Sequence, residues 1–138
     1  MTANSVAAGL HTCTITADDT YVNGVNTAGV FTITINTRPV QNPLVAQTLY
    51  KGQTGWTYTS TACTDADLDP TTWTARNFGQ NSISTSWLSF NPLTGVFSGT
   101  PTDTGVSTIE VVCSDPSGAT DSEIFTITVG VNNPPVYT

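Results

Sequence analysis

The stretch SWLSFNPLTGVFSGTP, residues 86–101, sets two short apolar runs on either side of an Asn-Pro turn and contains no charged residue. Trp87, with Leu88 or Phe90 at alternating depth, predicts a strand anchored in a core. Asn91 to Gly95 predicts a tight connection, and Val96-Phe97 a second strand. Gly99-Thr100-Pro101 ends that strand, because glycine admits backbone angles closed to other residues and proline cannot donate to a ladder. Trp87, Phe90, Gly95, Phe97, Gly99 and Pro101 therefore read as a core motif and not as an adhesive surface.

The same rhythm runs along the whole chain. Apolar residues alternate with threonine in TCTITA (12–17), VFTITIN (30–36), WTYTSTAC (56–63), IEVVC (109–113) and IFTITVG (124–130), and turn formers such as NPLTG, SDPSG, NGVNTAG and DADLDP separate the runs. Strict alternation marks strands with one buried face, and no window keeps apolar residues at helical spacing. Short strands with Pro/Gly punctuation predict an all-β chain folded as an antiparallel β-sandwich.

Composition narrows the function. The charged fraction is 9%, far below the roughly 25% usual for soluble domains, and 28 Thr and 11 Ser supply polarity instead. Eight Asp and two Glu against Arg38, Lys51 and Arg76 leave a net charge of −7. Such a chain has little with which to neutralise phosphates, so neither nucleic acid nor an anionic membrane surface is an expected partner. No 18-residue apolar segment or basic-then-apolar leader is present, and membrane insertion is not expected. An acidic, Thr-rich, Lys-poor chain points to an extracellular or cell-surface setting. No Asn stands in an Asn-X-Ser/Thr acceptor, which leaves O-linked sugars on the many hydroxyls as the open form of glycosylation.

Three cysteines, Cys13, Cys63 and Cys113, lie far apart with one histidine, His11. No short Cys/His spacing suits structural zinc, so one disulfide with an odd thiol, or buried free thiols, are the readings left open.

Two segments echo each other. Residues 15–40 align with 111–136, placing Ala17 on Cys113, Asp19 on Asp115, Phe31 on Phe125 and Pro39 on Pro135. The chain therefore reads as a partial module over residues 1–37 (its last two strands), a complete module over 38–131, and a linker at 132–138. A lone hairpin exposes an apolar face and two open edges, so a neighbouring module or another copy of the chain is its expected partner, head to tail.

The segments ACTDADLDPTTWTA, SWLSFNPLTGVFSGTP and VVCSDPSGATDSEIFTITV, taken in order, resemble the signatures of dystroglycan-type cadherin-like domains, also described as immunoglobulin-like domains of surface proteins. The resemblance implies a seven-stranded Greek-key sandwich used in tandem arrays for adhesion or spacing, sometimes with interdomain calcium. It places Cys63 and Cys113 side by side on facing strands, as a disulfide or as paired buried thiols. Cys13, at even spacing from Ile15 and Ala17, faces inward in its hairpin as a free thiol or, alternatively, bridges to another molecule.

Asp65, Asp67 and Asp69 alternate in DADLD, and the resemblance sets Asp115 at the same end, near the Pro-containing joint. Converging carboxylates suit Ca²⁺. The spacing is not that of an EF-hand, since Pro70 and Arg76 occupy the positions of its Gly and Glu, and turn-forming aspartates are the competing reading. Trp56, Tyr58 and Trp73 are either core or a platform for stacking a sugar ring, and their alternation favours core. No nucleophile motif accompanies His11, and Glu110 and Glu123 are expected on solvent faces, so no enzyme activity is expected. The function expected is a structural or adhesive module; a carbohydrate-binding accessory to a secreted enzyme, with glycans as partner, and a calcium-dependent adhesion domain are the alternatives.

Overall fold

The structure, a computed structural model, describes residues 9–17 and 27–133, with side chains from Gly29 onward. The chain divides between Thr37 and Arg38 into two compact units.

In the first unit, β1 (Gly9–Ala17) pairs antiparallel with β2 (Thr27–Ile35). The register sets Cys13 opposite Phe31 and Ala17 opposite Thr27. The side chains of Cys13 and His11 lie outside the described residues. On β2 the apolar side chains Val30, Phe31 and Ile33 are exposed.

In the second unit the strands are β3 (Val40–Gln41), β4 (Gln47–Tyr50), β5 (Trp56–Thr59), β6 (Cys63–Thr64), β7 (Thr72–Asn77), β8 (Leu88–Asn91), β9 (Val96–Gly99), β10 (Gly105–Ser114) and β11 (Thr120–Gly130). A four-stranded sheet in the order β4-β11-β10-β7 faces a three-stranded sheet in the order β5-β9-β8, and β3-β6 forms a small ladder beside them. Alternation along β10 and β11 sends Ile109, Val111, Phe125, Ile127 and Val129 inward to meet Trp56, Leu88 and Phe97 from the other sheet. Aromatic rings fill the gap. Phe97 stands edge-on to Phe125 at 5.4 Å and meets Phe90 at 4.5 Å, while Tyr58 lies 5.2 Å from Phe125. Offset and tilted pairs at these separations are the favoured geometry for rings in a core. The fold is a two-sheet β-sandwich.

Three details depart from the sequence expectation. The run 56–63 is not one strand: β5 pairs with β9, whereas β6 pairs with β3, and Ser60–Ala62 carry the chain between the two ladders. The β4-β11 pairing is parallel, whereas the other strand pairings of this unit are antiparallel. Glu110 does alternate outward from Ile109 and Val111, yet it is only 9% exposed. It sits on an interior strand, and Arg76 on β7 lies across it with Nε 2.7 Å from Oε2. That ion pair holds the Glu110 carboxyl below its ordinary range.

The two hairpins match in register. Cys13 faces Phe31 in β1-β2 as Ile109 faces Phe125 in β10-β11, and Ala17 faces Thr27 as Cys113 faces Asp121. The positions differ in burial. Phe31 is 43% exposed and Ile33 44%, where their counterparts Phe125 and Ile127 are 3% and 0%.

Candidate functional site

The candidate site is the end of the sandwich where the chain enters from the first unit. The β3-β6 ladder sets Val40 opposite Thr64 and Gln41 opposite Cys63, so the Pro-containing joint runs beside the residues that lead into the DADLD loop. Gln41 is buried and fully engaged: its amide donates to the Thr61 carbonyl at 3.0 Å, and its carbonyl oxygen accepts the Trp73 indole N–H at 3.2 Å. Its own backbone N–H donates to Asp121 Oδ2 at 3.0 Å, and Asp121 Oδ1 lies 3.4 Å from Arg38. Arg38 thus pairs with Asp121 while its side chain stays largely exposed. The role of Gln41 carries no sequence signal, since a single Gln among Thr and Asn reads as surface. The disulfide between Cys63 and Cys113, with Cα atoms 6.3 Å apart, fastens this small ladder to the interior strand of the four-stranded sheet.

The DADLD loop is folded around Asp65. Its Oδ1 accepts the backbone N–H of Asp67 at 2.7 Å and of Asp69 at 3.4 Å, and its backbone carbonyl accepts from Leu68, which adopts the left-handed conformation. Aspartate favours such turns because its short side chain mimics a backbone acceptor. The winding gathers one oxygen each of Asp65, Asp67 and Asp69 within 4.8 Å of one another. Burial and the neighbouring carboxylates Asp65, Asp67 and Asp115 raise the Asp69 pKa above its ordinary value. Asp65 Oδ2 is buried and has no hydrogen-bond partner among the described residues. Asp115 stands outside this three-residue group; it is buried, and its Oδ1 accepts from Ser117 Oγ at 2.7 Å and Ala119 N at 2.9 Å, holding the β10-β11 turn.

The candidate aromatic platform is dispersed into the interior. Trp56 belongs to the buried core, while Tyr58 and Trp73 pack against it half-buried. The motif of residues 86–101 supplies structure: Leu88 and Phe97 are buried in the core, Trp87 and Phe90 pack against it, and Pro101 is fully buried. Gly95, with φ +67, ends the turn after Asn91, and its N–H returns to the Asn91 carbonyl at 2.9 Å. Trp87 stands edge-on to Trp56 at 6.2 Å.

The family model described as "Putative Ig domain" matches residues 38–130. Among solved structures, Drosophila N-cadherin EC1-4 is similar at a TM-score of 0.55 and 16% identity, over 75% of this chain and 27% of that one. Protocadherin Gamma B7 extracellular cadherin domains 1-4 match at 0.55 and 20%, over 90% of this chain and 32% of that one. A Bacteroides fragilis protein described as a putative alpha-galactosidase/melibiase matches at 0.52 and 20%, over 69% of this chain and 18% of that one. The chain thus spans under a third of each of these proteins, and the likeness is one of fold. No curated protein matches the chain. Among the described residues, no helix is long and apolar enough to cross a membrane.

Proposed function

The chain belongs to the family described as "Putative Ig domain", and from that premise we propose that it is a non-enzymatic structural or adhesive module of an extracellular repeat protein or fibre. It is joined head to tail through its hairpin and its Pro-containing joints. The narrower dystroglycan-type assignment rests on the motif of residues 86–101.

The observation that carries this reading is the pair of matched hairpins. In the complete sandwich β11 receives β4 in parallel and β10 receives β7 antiparallel. The β1-β2 hairpin repeats the register of β10-β11 but leaves Phe31 and Ile33 in the open. Burying the exposed two-fifths of each of these side chains contributes about 1 kcal/mol. A neighbouring module or a second copy that supplies strands in the places of β4 and β7 gains that burial and closes two open edges. A contact between unlike surfaces need not close on itself, so repetition produces a linear array.

The mass and shape of the native particle test it. Long rods that dissociate into 14.5 kDa chains in denaturant, or rods of a single long polypeptide, support the array. A compact particle of one chain, unchanged by Phe31→Ser with Ile33→Ser, overturns it.

Calcium-dependent adhesion is a second reading, favoured by one feature. Three carboxylates within 4.8 Å and a buried Asp65 oxygen that lacks a partner among the described residues fit a hard, oxygen-liganded cation. Asp65, Asp67 and Asp69 would hold the ion, which would supply positive charge to the loop and stiffen the joint beside it. Calorimetric titration with CaCl₂ checks this, and a melting temperature identical with calcium and with chelator removes it.

A further inference from the structure

We propose that the depression beside Trp87 binds a neutral, polyhydroxylated ring such as a hexopyranose. The depression has a volume of about 290 Å³ and lies between the segment 84–87 and the segment 103–107. Ser84, Ser86, Trp87, Asp103, Thr104 and Ser107 carry its chemistry. This proposal stands independently of the array reading, since every residue in it belongs to the complete sandwich.

Side-chain chemistry selects the ligand class. A pyranose presents an apolar C–H face to an aromatic ring and a rim of hydroxyls to hydrogen-bonding groups, and this wall offers one indole, five hydroxyls and one carboxylate. Asp103 Oδ2 accepts from Thr102 Oγ1 at 2.8 Å, which fixes the carboxylate, and among the described residues no donor meets Oδ1. That oxygen is a ready acceptor for two adjacent hydroxyls. Among the described residues no Lys, Arg or His lines the depression, so an anionic ligand would meet Asp103 without a countercharge from them. Val106 and Val129 are its only aliphatic side chains, too few to hold a lipid.

The walls are tied together before any ligand arrives. Asn77 Oδ1 accepts the backbone N–H of Ser84 at 2.8 Å, and Asn77 Nδ2 donates to Thr85 Oγ1 at 3.1 Å. Thr85 Oγ1 in turn lies 3.2 Å from Ser107 Oγ, spanning the two segments. Trp87 is held edge-on against Trp56. A preformed wall spends little ordering entropy on binding. The volume falls at the low end for small-molecule sites, enough for about one ring. One site of this size binds weakly; a row of modules on a glycan would bind by avidity.

The test is a titration of the ¹⁵N-labelled full chain with the methyl glycosides of glucose, galactose, mannose and N-acetylglucosamine, followed by amide and indole resonances. At least one glycoside should shift the signals of residues 84–87 and 103–107, including the Trp87 indole N–H. Asp103→Ala, a change at an exposed side chain, should lower that affinity about tenfold, the equivalent of one hydrogen bond to a charged acceptor, with an unchanged melting temperature. The proposal is overturned if no glycoside moves these signals at high millimolar concentration, if Asp103→Ala leaves the affinity intact, or if only a charged sugar such as glucuronate binds.

Discussion

The backbone carbonyl of Trp87 and the Cε3 edge of its indole occupy the space a side chain on Gly99 would need: a Cβ built there would overlap the carbonyl oxygen and come within 3.0 Å of Cε3. Gly99 pairs with Trp56 on one side and Leu88 on the other, which puts this close approach on the central strand of the three-stranded sheet. Gly99→Ala must therefore push the strands apart or displace Trp87, and its φ of +156 is also disfavoured for alanine. A loss of about 2–4 kcal/mol in urea unfolding is expected. All three tryptophans, Trp56, Trp73 and Trp87, lie in the sandwich, so intrinsic fluorescence reports it directly. A variant as stable as the parent would show that Trp87 is free to move away.

The disulfide should act locally as well as globally. It links residues separated by 50 positions, and closing a loop of that length stabilises by about 2–5 kcal/mol. The β3-β6 ladder it fastens is only two residues long on each strand. With Cys63 and Cys113 both changed to Ser, hydrogen exchange should rise first at Val40, Gln41, residue 63 and Thr64 of this ladder, before the interior strands β10 and β11. Uniform acceleration across the sandwich would show that the bridge serves the core alone.

Sequence pattern discloses the sheets better than their edges. The alternating runs 109–113 and 124–130 lie inside β10 and β11, and the motif of residues 86–101 contains β8, its turn and β9, because burial of one face imposes a period of two that composition cannot hide. The break of 56–63 is invisible to the same reasoning. Both halves alternate correctly, and only the choice of partner strand, a tertiary matter, separates them. Glu110 fails for a related reason: its outward register is legible, but the Arg76 side chain that covers it comes from another strand. At the acidic loop the alternation of Asp65, Asp67 and Asp69 pointed to a cluster, whereas the engagement of Asp115 in its own turn depends on Ser117 and Ala119 and has no signature.

Acid should affect two carboxylates in opposite senses. The Glu110 pKa is lowered in the fold, chiefly by its hydrogen bond to Arg76, so its contribution is present above the ordinary 4.5 and is lost as pH falls through the folded value. The Asp69 pKa is raised from 3.8, chiefly by desolvation and then by Asp65, so the folded form takes up a proton first and stability rises as pH falls through that raised value. Glu110→Gln should be less stable than the parent at pH 7 by about 1–2 kcal/mol, the value of a charged hydrogen bond, with the gap narrowing below pH 4.5. Asp69→Asn should be at least as stable as the parent at pH 7, the gain vanishing in acid. Urea titrations at pH 3, 5 and 7 separate the two; parallel pH profiles for all three proteins would exclude both assignments.

Ser60 and Gly95 offer the sharpest test of packing at the foot of the motif. Ser60 Oγ is buried without a hydrogen-bond partner among the described residues, although the Ser60 backbone N–H donates to the Gly95 carbonyl at 2.8 Å. An unsatisfied buried hydroxyl is a liability, so Ser60→Ala should be neutral or stabilising by up to about 1 kcal/mol. A methyl group on Gly95 would collide with that same hydroxyl, and once the hydroxyl is gone the nearest atoms are Ser60 Cβ and Trp73 Cε3, both at 3.9 Å, an ordinary contact. Gly95→Ala alone should therefore lose the steric penalty plus about 1 kcal/mol for its left-handed backbone, and adding Ser60→Ala should restore the steric part only. The double-mutant cycle should show a favourable coupling of at least about 1 kcal/mol. Strict additivity would mean that the cost at residue 95 is backbone conformation alone, with no contact to Ser60.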